Sequence, residues 1–280
     1  MSGRVALVTG CSAGGIGHAL RSYCYRCERF AAEGCRVYAT ARRVEAMAGL
    51  SAHPLISLHA LDVTSDADVL RVVELTVAEA GHIDIVVNNA GMIAIGKTHE
   101  QPLEHVHAAF DTNTYGALRV ARAVFPHMAT RRNGLIINIG SVVGDIAVPW
   151  NGLYSATKAA MHMMSNILMM ELSPFNIRVM NIAPGSVRSN IASNATGFSL
   201  SSTSRYTDFL PDMVRRMNSS QGPNAMPADQ FARRIVSAAL RRNPPTHMTV
   251  GGSAWVYKLL RWLPHTFVLW FSWRLFSKKA

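Results

Sequence analysis

The sequence predicts an α/β fold: a doubly wound parallel sheet forming one domain over residues 1–251, followed by an aromatic and basic appendage over residues 252–280. Three observations carry that expectation. Short apolar runs alternate with amphipathic stretches along most of the chain, the pattern of strands buried on both faces by crossover helices. The first run, Val5-Ala6-Leu7-Val8, enters Thr9-Gly10-Cys11-Ser12-Ala13-Gly14-Gly15-Ile16-Gly17, a strand, a glycine turn and a helix start that together suit a pyrophosphate. The 280 residues contain no internal repeat or low-complexity linker, so one continuous sheet fits better than two small domains.

After the glycine turn, Ala19-Leu20 should lead directly to Phe30-Ala31-Ala32-Glu33-Gly34, but Arg21 to Arg26 adds roughly one and a half turns of chain. That length rotates the downstream face by about 240° net, so a bulge, a loop-out or an extended helix is expected there. Cys24-x-x-Cys27 lies in this stretch with no second CxxC or CxxH at ligand spacing, and no metal site is predicted.

Cys35 to Thr40 reads as the second strand and ends in Ala41-Arg42-Arg43. A dinucleotide site that prefers NAD places a carboxylate at this strand end, on the ribose 2′-hydroxyl. Arg42 offers instead a guanidinium fork suited to a 2′-phosphate, which predicts NADPH. Leu55 to Leu61 is the third strand and closes on Asp62, which could also cap the helix after Thr64-Ser65. Ile83 to Val87 is the fourth and runs into Asn88-Asn89-Ala90-Gly91, where small residues let the backbone approach a ligand. Asn113 falls within a long helix for which its propensity is poor.

Leu135 to Ile139 is a short apolar run ending at Gly140-Ser141, so it delivers a hydroxyl at the C-terminal edge of the sheet, where open parallel sheets bind ligands. Asn151 to Leu172 is a run of good helix formers that sets Tyr154 and Lys158 one turn apart on one face. A free phenol has a pKa near ~10, and an adjacent ammonium favours phenolate, so the pair is expected to act as a tunable acid. Ile177 to Ile182 is a strand leading into Ala183-Pro184-Gly185-Ser186-Val187-Arg188-Ser189. Ala228 to Leu240 is a last amphipathic helix before the tail, and Thr246 to Val250 a last strand.

The glycine turn, Asn88-Asn89-Ala90-Gly91, Ser141 thirteen residues before Tyr154, and Lys158 together resemble the short-chain dehydrogenase/reductase family, over residues 4 to about 250. The resemblance implies a Rossmann fold and a nicotinamide-dependent oxidoreductase acting on CH–OH and C=O groups. It implies Asn113, Ser141, Tyr154 and Lys158 as the catalytic set, with Asn113 holding a water. It implies cofactor contacts from Gly10, Ser12, Gly15, Ile16, Gly17, Asp62, Asn89, Ala90, Gly91, Tyr154, Lys158, Pro184, Gly185, Val187 and Ser189. It further implies a substrate lid at about residues 190–228 and a homodimer or homotetramer paired through long helices. The extra glycine, Gly14-Gly15, resembles a subgroup acting on lipid substrates; a lipid-like acyl ketone phosphate is expected, with a steroid or retinoid as the alternative. A non-catalytic nucleotide-binding scaffold is the reading the Arg21–Arg26 stretch would favour.

The formal charge of +11 is uneven: residues 1–229 hold 19 Lys and Arg against 17 Asp and Glu, whereas residues 230–280 hold 9 basic residues and no acidic one. Nucleic acid would want such charges on a polar groove. Here they are interleaved with Trp255, Trp262, Phe267, Trp270 and Trp273, which suits an anionic lipid surface. Trp262 to Trp273 is uncharged but too short to span a bilayer and contains Pro264, so a monotopic anchor on the cytosolic face of the endoplasmic reticulum or on lipid droplets is predicted, the alternatives being an intramolecular lid and a cytoplasmic protein. The four cysteines lie within the first 35 residues and do not form the spread of a disulfide framework, and no secretory leader is read at the N-terminus.

Overall fold

A computed structural model describes residues 3–12, 25–50, 52–188, 200 and 204–277. Seven strands form one parallel sheet in the order β3-β2-β1-β4-β5-β6-β7. They are β1 (Val5–Val8), β2 (Arg36–Ala41), β3 (Ile56–Ala60), β4 (Ile85–Asn88), β5 (Gly134–Ile139), β6 (Ile177–Pro184) and β7 (His247–Val250). The chain steps outward from β1 to β3, then returns to the other side of β1 with β4, so the strand order reverses between β1 and β4. A crevice opens at such a reversal, beyond the C-terminal strand ends.

Strand side chains alternate between two apolar layers because successive Cβ atoms point to opposite faces. Ala6 and Val8 pack with Val37, Ile137 and Met180 against Phe30 of α1 (Tyr25–Ala32) and Phe231 and Ile235 of α7 (Ala228–Ala239). Val5 and Leu7 pack with Val86, Ile136 and Val179 against α2 (Asp66–Ala80), α4 (Gly116–Arg131) and the end of α5 (Gly152–Glu171). Both faces are covered, which explains why the strands read as continuous apolar runs.

Strand limits move by up to two residues from those expected. β6 continues to Pro184 because Asn181 to Pro184 pair with His247 to Val250. α2 is capped by Ser65, whose side chain accepts from the Asp68 N–H, and ends at Gly81 with a φ of 79°. The Asp62 carboxylate takes the Thr64 N–H and hydroxyl instead, so Asp62 shapes the turn before the cap. The expected long helix around Asn113 is interrupted: α3 (Leu103–Phe110) passes through a π-helical turn, Asp111–Tyr115, into α4. Such a turn re-aims side chains and often marks a functional site.

Of the stretch from Arg21 to Arg26, only Tyr25 and Arg26 are described, at the start of α1; the expected bulge or loop-out lies outside the described residues. Two helices close the chain after α6 (Leu210–Met217) and α7: α8 (Ala254–Leu260) and α9 (His265–Phe276). They fold back on the segment before α5, with Leu260 and Val268 buried against Ile146, and the Trp273 ring tilted against that of Trp150, 5.6 Å between centroids. Their opposite side leaves Trp255, Trp262 and Trp270 exposed at 68%, 89% and 55%. No helix among the described residues is long and apolar enough to cross a membrane.

Candidate active site

The C-terminal ends of β1, β4, β5 and β6 bring most of the sequence-predicted residues to one edge of the sheet. Gly10 leaves β1 with a φ of 69°, and a Cβ there would come 2.5 Å from the Ala90 Cα. Only glycine allows this approach. Thr9 ties the two turns together, its hydroxyl accepting from the Asn89 and Ala90 N–H groups at 3.0 and 3.1 Å. The Asn89 side-chain amide donates to the Thr9 and Gly10 carbonyls, each at 2.9 Å. The backbone cradle a dinucleotide would rest on is thus braced by its own side chains. Ser12 is exposed beside it; Gly15, Ile16 and Gly17 lie outside the described residues.

Arg42 stands exposed just past the end of β2, the strand that pairs with β1. Arg26 reaches the crevice from α1 and donates to Asn89 Oδ1. Pro184 ends β6, and Gly185 follows where a Cβ would come 2.3 Å from the Gly252 carbonyl oxygen. Val187 pairs with Met226, while Ser189 lies outside the described residues.

The chemistry-bearing side chains meet between β5 and α5. Ser141 follows β5; its hydroxyl accepts from the Val143 N–H at 3.4 Å, and its side chain pulls the Tyr154 pKa down. Lys158 is 4% exposed; its ammonium donates to the Ile139 carbonyl at 2.9 Å and lies 5.7 Å from the centre of the Tyr154 ring. Burial lowers the Lys158 pKa to about 8. Burial pushes Tyr154 up to about 12, against the pull of the Ser141 side chain and the charge of Arg216. This departs from the expected lowering by Lys158: desolvation of the phenol outweighs the cations, and Arg216 of α6 is the charge that acts on it.

Asn113 is fully buried in the π-helical turn. Its side chain accepts from the Met92 N–H at 2.7 Å and donates to the Met92 carbonyl and the Thr157 hydroxyl at 2.9 and 3.0 Å. It therefore clamps the segment after β4 to α5. A Cβ on Gly91 would lie 3.2 Å from Asn113 Oδ1 and 3.7 Å from Lys158 Nζ, so these three positions enclose one small space.

Several residues of this edge were not singled out in the sequence. Asn88 donates to Asn138, which donates to Ser165, a buried chain of amides linking β4, β5 and α5. Its signal was legible: two asparagines inside apolar strand runs need partners when buried. Trp150 carries a φ of 68° and packs against Tyr206, Phe209 and Trp273. Tyr154, Tyr257 and Phe276 all pack against one buried cluster of Val142, Val143, Val148 and Ala183. The contacts of Trp150 and Arg216 cross more than fifty residues of chain and have no local signal.

A family model described as short chain dehydrogenase matches residues 4–198. The chain belongs to the short-chain dehydrogenase family. Members of this family bind a nicotinamide cofactor and act on alcohol and carbonyl groups of small molecules, and this chain is an oxidoreductase of that kind. Among curated relatives, it is 34% identical over 243 residues to short-chain dehydrogenase ptmH of Penicillium ochrochloron, covering 86% of both chains. It is 39% identical over 196 residues to an NADPH-dependent 1-acyldihydroxyacetone phosphate reductase of Schizosaccharomyces pombe, covering 69% of this chain and 63% of that protein. A crystal structure of a short-chain dehydrogenase from Streptomyces avermitilis matches with a TM-score of 0.80 and 29% identity over 99% of each chain.

Proposed function

We propose that this short-chain dehydrogenase is an NADPH-dependent reductase of a carbonyl on an anionic, lipid-like substrate, with 1-acyldihydroxyacetone phosphate, reduced to 1-acylglycerol 3-phosphate, as the best fit. The observation that carries the reading is Arg216. Its charge acts on the Tyr154 hydroxyl, its guanidinium lies 5.5 Å over the Phe276 ring, and its Nε is buried with no hydrogen-bond partner among the described residues. A half-buried cation whose Nε is shut off from water, beside the reacting hydroxyl, calls for an anion from the substrate. Trp150, whose Nε1 donates to the carbonyl of that same Phe276, gathers the rings of Tyr206, Phe209 and Trp273 into an apolar cluster that suits an acyl chain. A neutral steroid or retinoid would fill the apolar part and bring no anion to Arg216. The likeness to the fission-yeast reductase supports the same substrate class.

In this reading Gly10, Ser12, Gly15, Ile16 and Gly17 hold the pyrophosphate, Arg42 the 2′-phosphate, Asp62 the adenine, Asn89, Ala90 and Gly91 the adjoining sugar, and Pro184, Gly185, Val187 and Ser189 the nicotinamide. Bound NADPH supplies the hydride to the carbonyl carbon. Tyr154 gives its proton to the carbonyl oxygen, and Ser141 holds that oxygen by a hydrogen bond. The high pKa of Tyr154 keeps the proton available across the neutral range. Lys158 binds the nicotinamide ribose, and Asn113 fixes the Gly91–Met92 backbone against α5 and holds the relay water. The deciding experiment is NADPH oxidation by the full chain against acyldihydroxyacetone phosphates, their dephosphorylated ketones, steroids and retinals. Turnover confined to steroids or retinals, or equal turnover with and without phosphate, would overturn it.

The C-terminal segment, 252–280, serves on this reading as both lid and anchor. Its inner side closes on Trp150 and Tyr154, while Trp255, Trp262 and Trp270 face outward beside a basic, acid-free tail, the mixture that docks at an anionic membrane or lipid-droplet surface. Met163, Ile167 and Met170 leave an exposed apolar stripe on α5 for a homodimer or homotetramer.

A further inference from the structure

His162 lies on α5 two turns beyond Tyr154, is buried, and takes no part in the reaction above. Its ring fills the space between two glycines of the Ser141 loop. A Cβ on Gly140 would come 2.0 Å from Nε2, and one on Gly144 would come 3.0 Å from Cε1. The Ser141 backbone N–H donates to His162 Nε2 at 3.2 Å, and Asp145 Oδ1 lies 2.9 Å from Nδ1. An amide N–H can only donate, so Nε2 is the unprotonated nitrogen and Nδ1 carries the hydrogen given to Asp145. On the far side, Arg261 Nη1 at the end of α8 lies 3.4 Å from Asp145 Oδ2. Burial pushes the Asp145 carboxyl up, but the His162 hydrogen bond and the charge of Arg261 hold it below the usual range, so it stands as an anion.

We propose that His162 is a positioning residue for Ser141, gripping the Ser141 backbone N–H as a neutral imidazole whose tautomer Asp145 sets, and that Arg261 couples the C-terminal helices to this grip. The proposal rests on the role of Ser141 given above. Protonating Nε2 would set one donor against another and release the loop that carries the hydroxyl. Asp145 alone would favour that second proton. Arg261 shares the carboxylate charge from the side opposite the ring. An arginine from the tail thus acts on the geometry of the catalytic loop without touching substrate.

The test uses the full chain, NADPH and 1-acyldihydroxyacetone phosphate. His162→Asn keeps a donor toward Asp145 but has no acceptor in reach of Ser141; it should lose kcat about tenfold or more while KM for NADPH stays within about twofold, as expected when a buried donor loses its acceptor. His162→Gln places Oε1 where Nε2 stood, and should recover most of kcat while losing the fall in activity on acidification. Arg261→Gln should make that fall begin at higher pH. Nitrogen-15 shifts of the His162 ring should report an acceptor-type Nε2 at neutral pH, a readout independent of turnover. Equal losses in the Asn and Gln variants, no loss in either, or a protonated Nε2 at neutral pH would overturn the proposal. If the Asn variant does not fold, the Arg261→Gln profile and the nitrogen shifts decide. Ser141→Ala separates the two readings: full activity there removes the role of Ser141, whereas loss there with an active His162→Asn removes only the grip.

Discussion

Replacing Lys158 with Met measures what it costs to bury a cation in α5. The side chain is 4% exposed, and burial lowers its pKa from 10.5 to about 8. That difference corresponds to about 3 kcal/mol. Between pH 8 and 10.5 the unfolded chain holds this proton more firmly than the folded one, so wild-type stability climbs with pH through the window and carries the whole penalty below it. Met fills nearly the same volume without charge. The bond from Nζ to the Ile139 carbonyl is lost at every pH, a constant offset of about 1–2 kcal/mol. Urea titrations of the two proteins without cofactor should therefore give a stability difference that moves in favour of wild type by about 3 kcal/mol as pH rises from neutrality to beyond 10. Tyr154 titrates in both proteins and cancels to first order. A difference that does not change with pH refutes the claim that desolvation governs Lys158.

Tyr154→Phe should abolish turnover while leaving NADPH affinity within about threefold, because only the proton donor is lost; activity above about a tenth of wild type assigns the acid elsewhere. Arg42→Asp should weaken NADPH binding by about 2 kcal/mol, followed by fluorescence titration, and an unchanged preference for NADPH over NAD argues against a 2′-phosphate contact. Replacing Trp255, Trp262 and Trp270 with Ser should release the protein from anionic vesicles with stability unchanged within about 0.5 kcal/mol per site, as for exposed positions, and sedimentation with vesicles that survives the change rules out this face as the anchor.

What the sequence made legible was local. Strand cores such as Val5–Val8 and Ile85–Asn88 show as apolar runs because both faces of the sheet are covered, and Tyr154 and Lys158 show as neighbours because a helix sets residues four apart on one face. Capping chemistry was partly legible: Asp62 and Ser65 both carry the right oxygen, and only the fold chose Ser65 as the cap. The pKa of Tyr154 was misjudged because sequence spacing reports the nearby ammonium but not the burial that opposes it. The contact of Arg216 with the phenol's surroundings, the grip of His162 on Ser141 and the folding back of α9 onto Trp150 all arise from tertiary packing between distant segments. The tail composition suggested a choice between anchor and lid, whereas the structure gives α8 and α9 one packed side and one exposed side.

The most direct test of the central claim compares kcat/KM for 1-acyldihydroxyacetone phosphate and for the same ketone without its phosphate, in wild type and in Arg216→Gln. The account predicts that wild type prefers the phosphorylated ketone by about tenfold to a hundredfold, the worth of a charge-assisted contact, and that the variant loses most of this preference while keeping its activity on the neutral ketone. A preference that is absent in wild type, or that survives intact in Arg216→Gln, would contradict it.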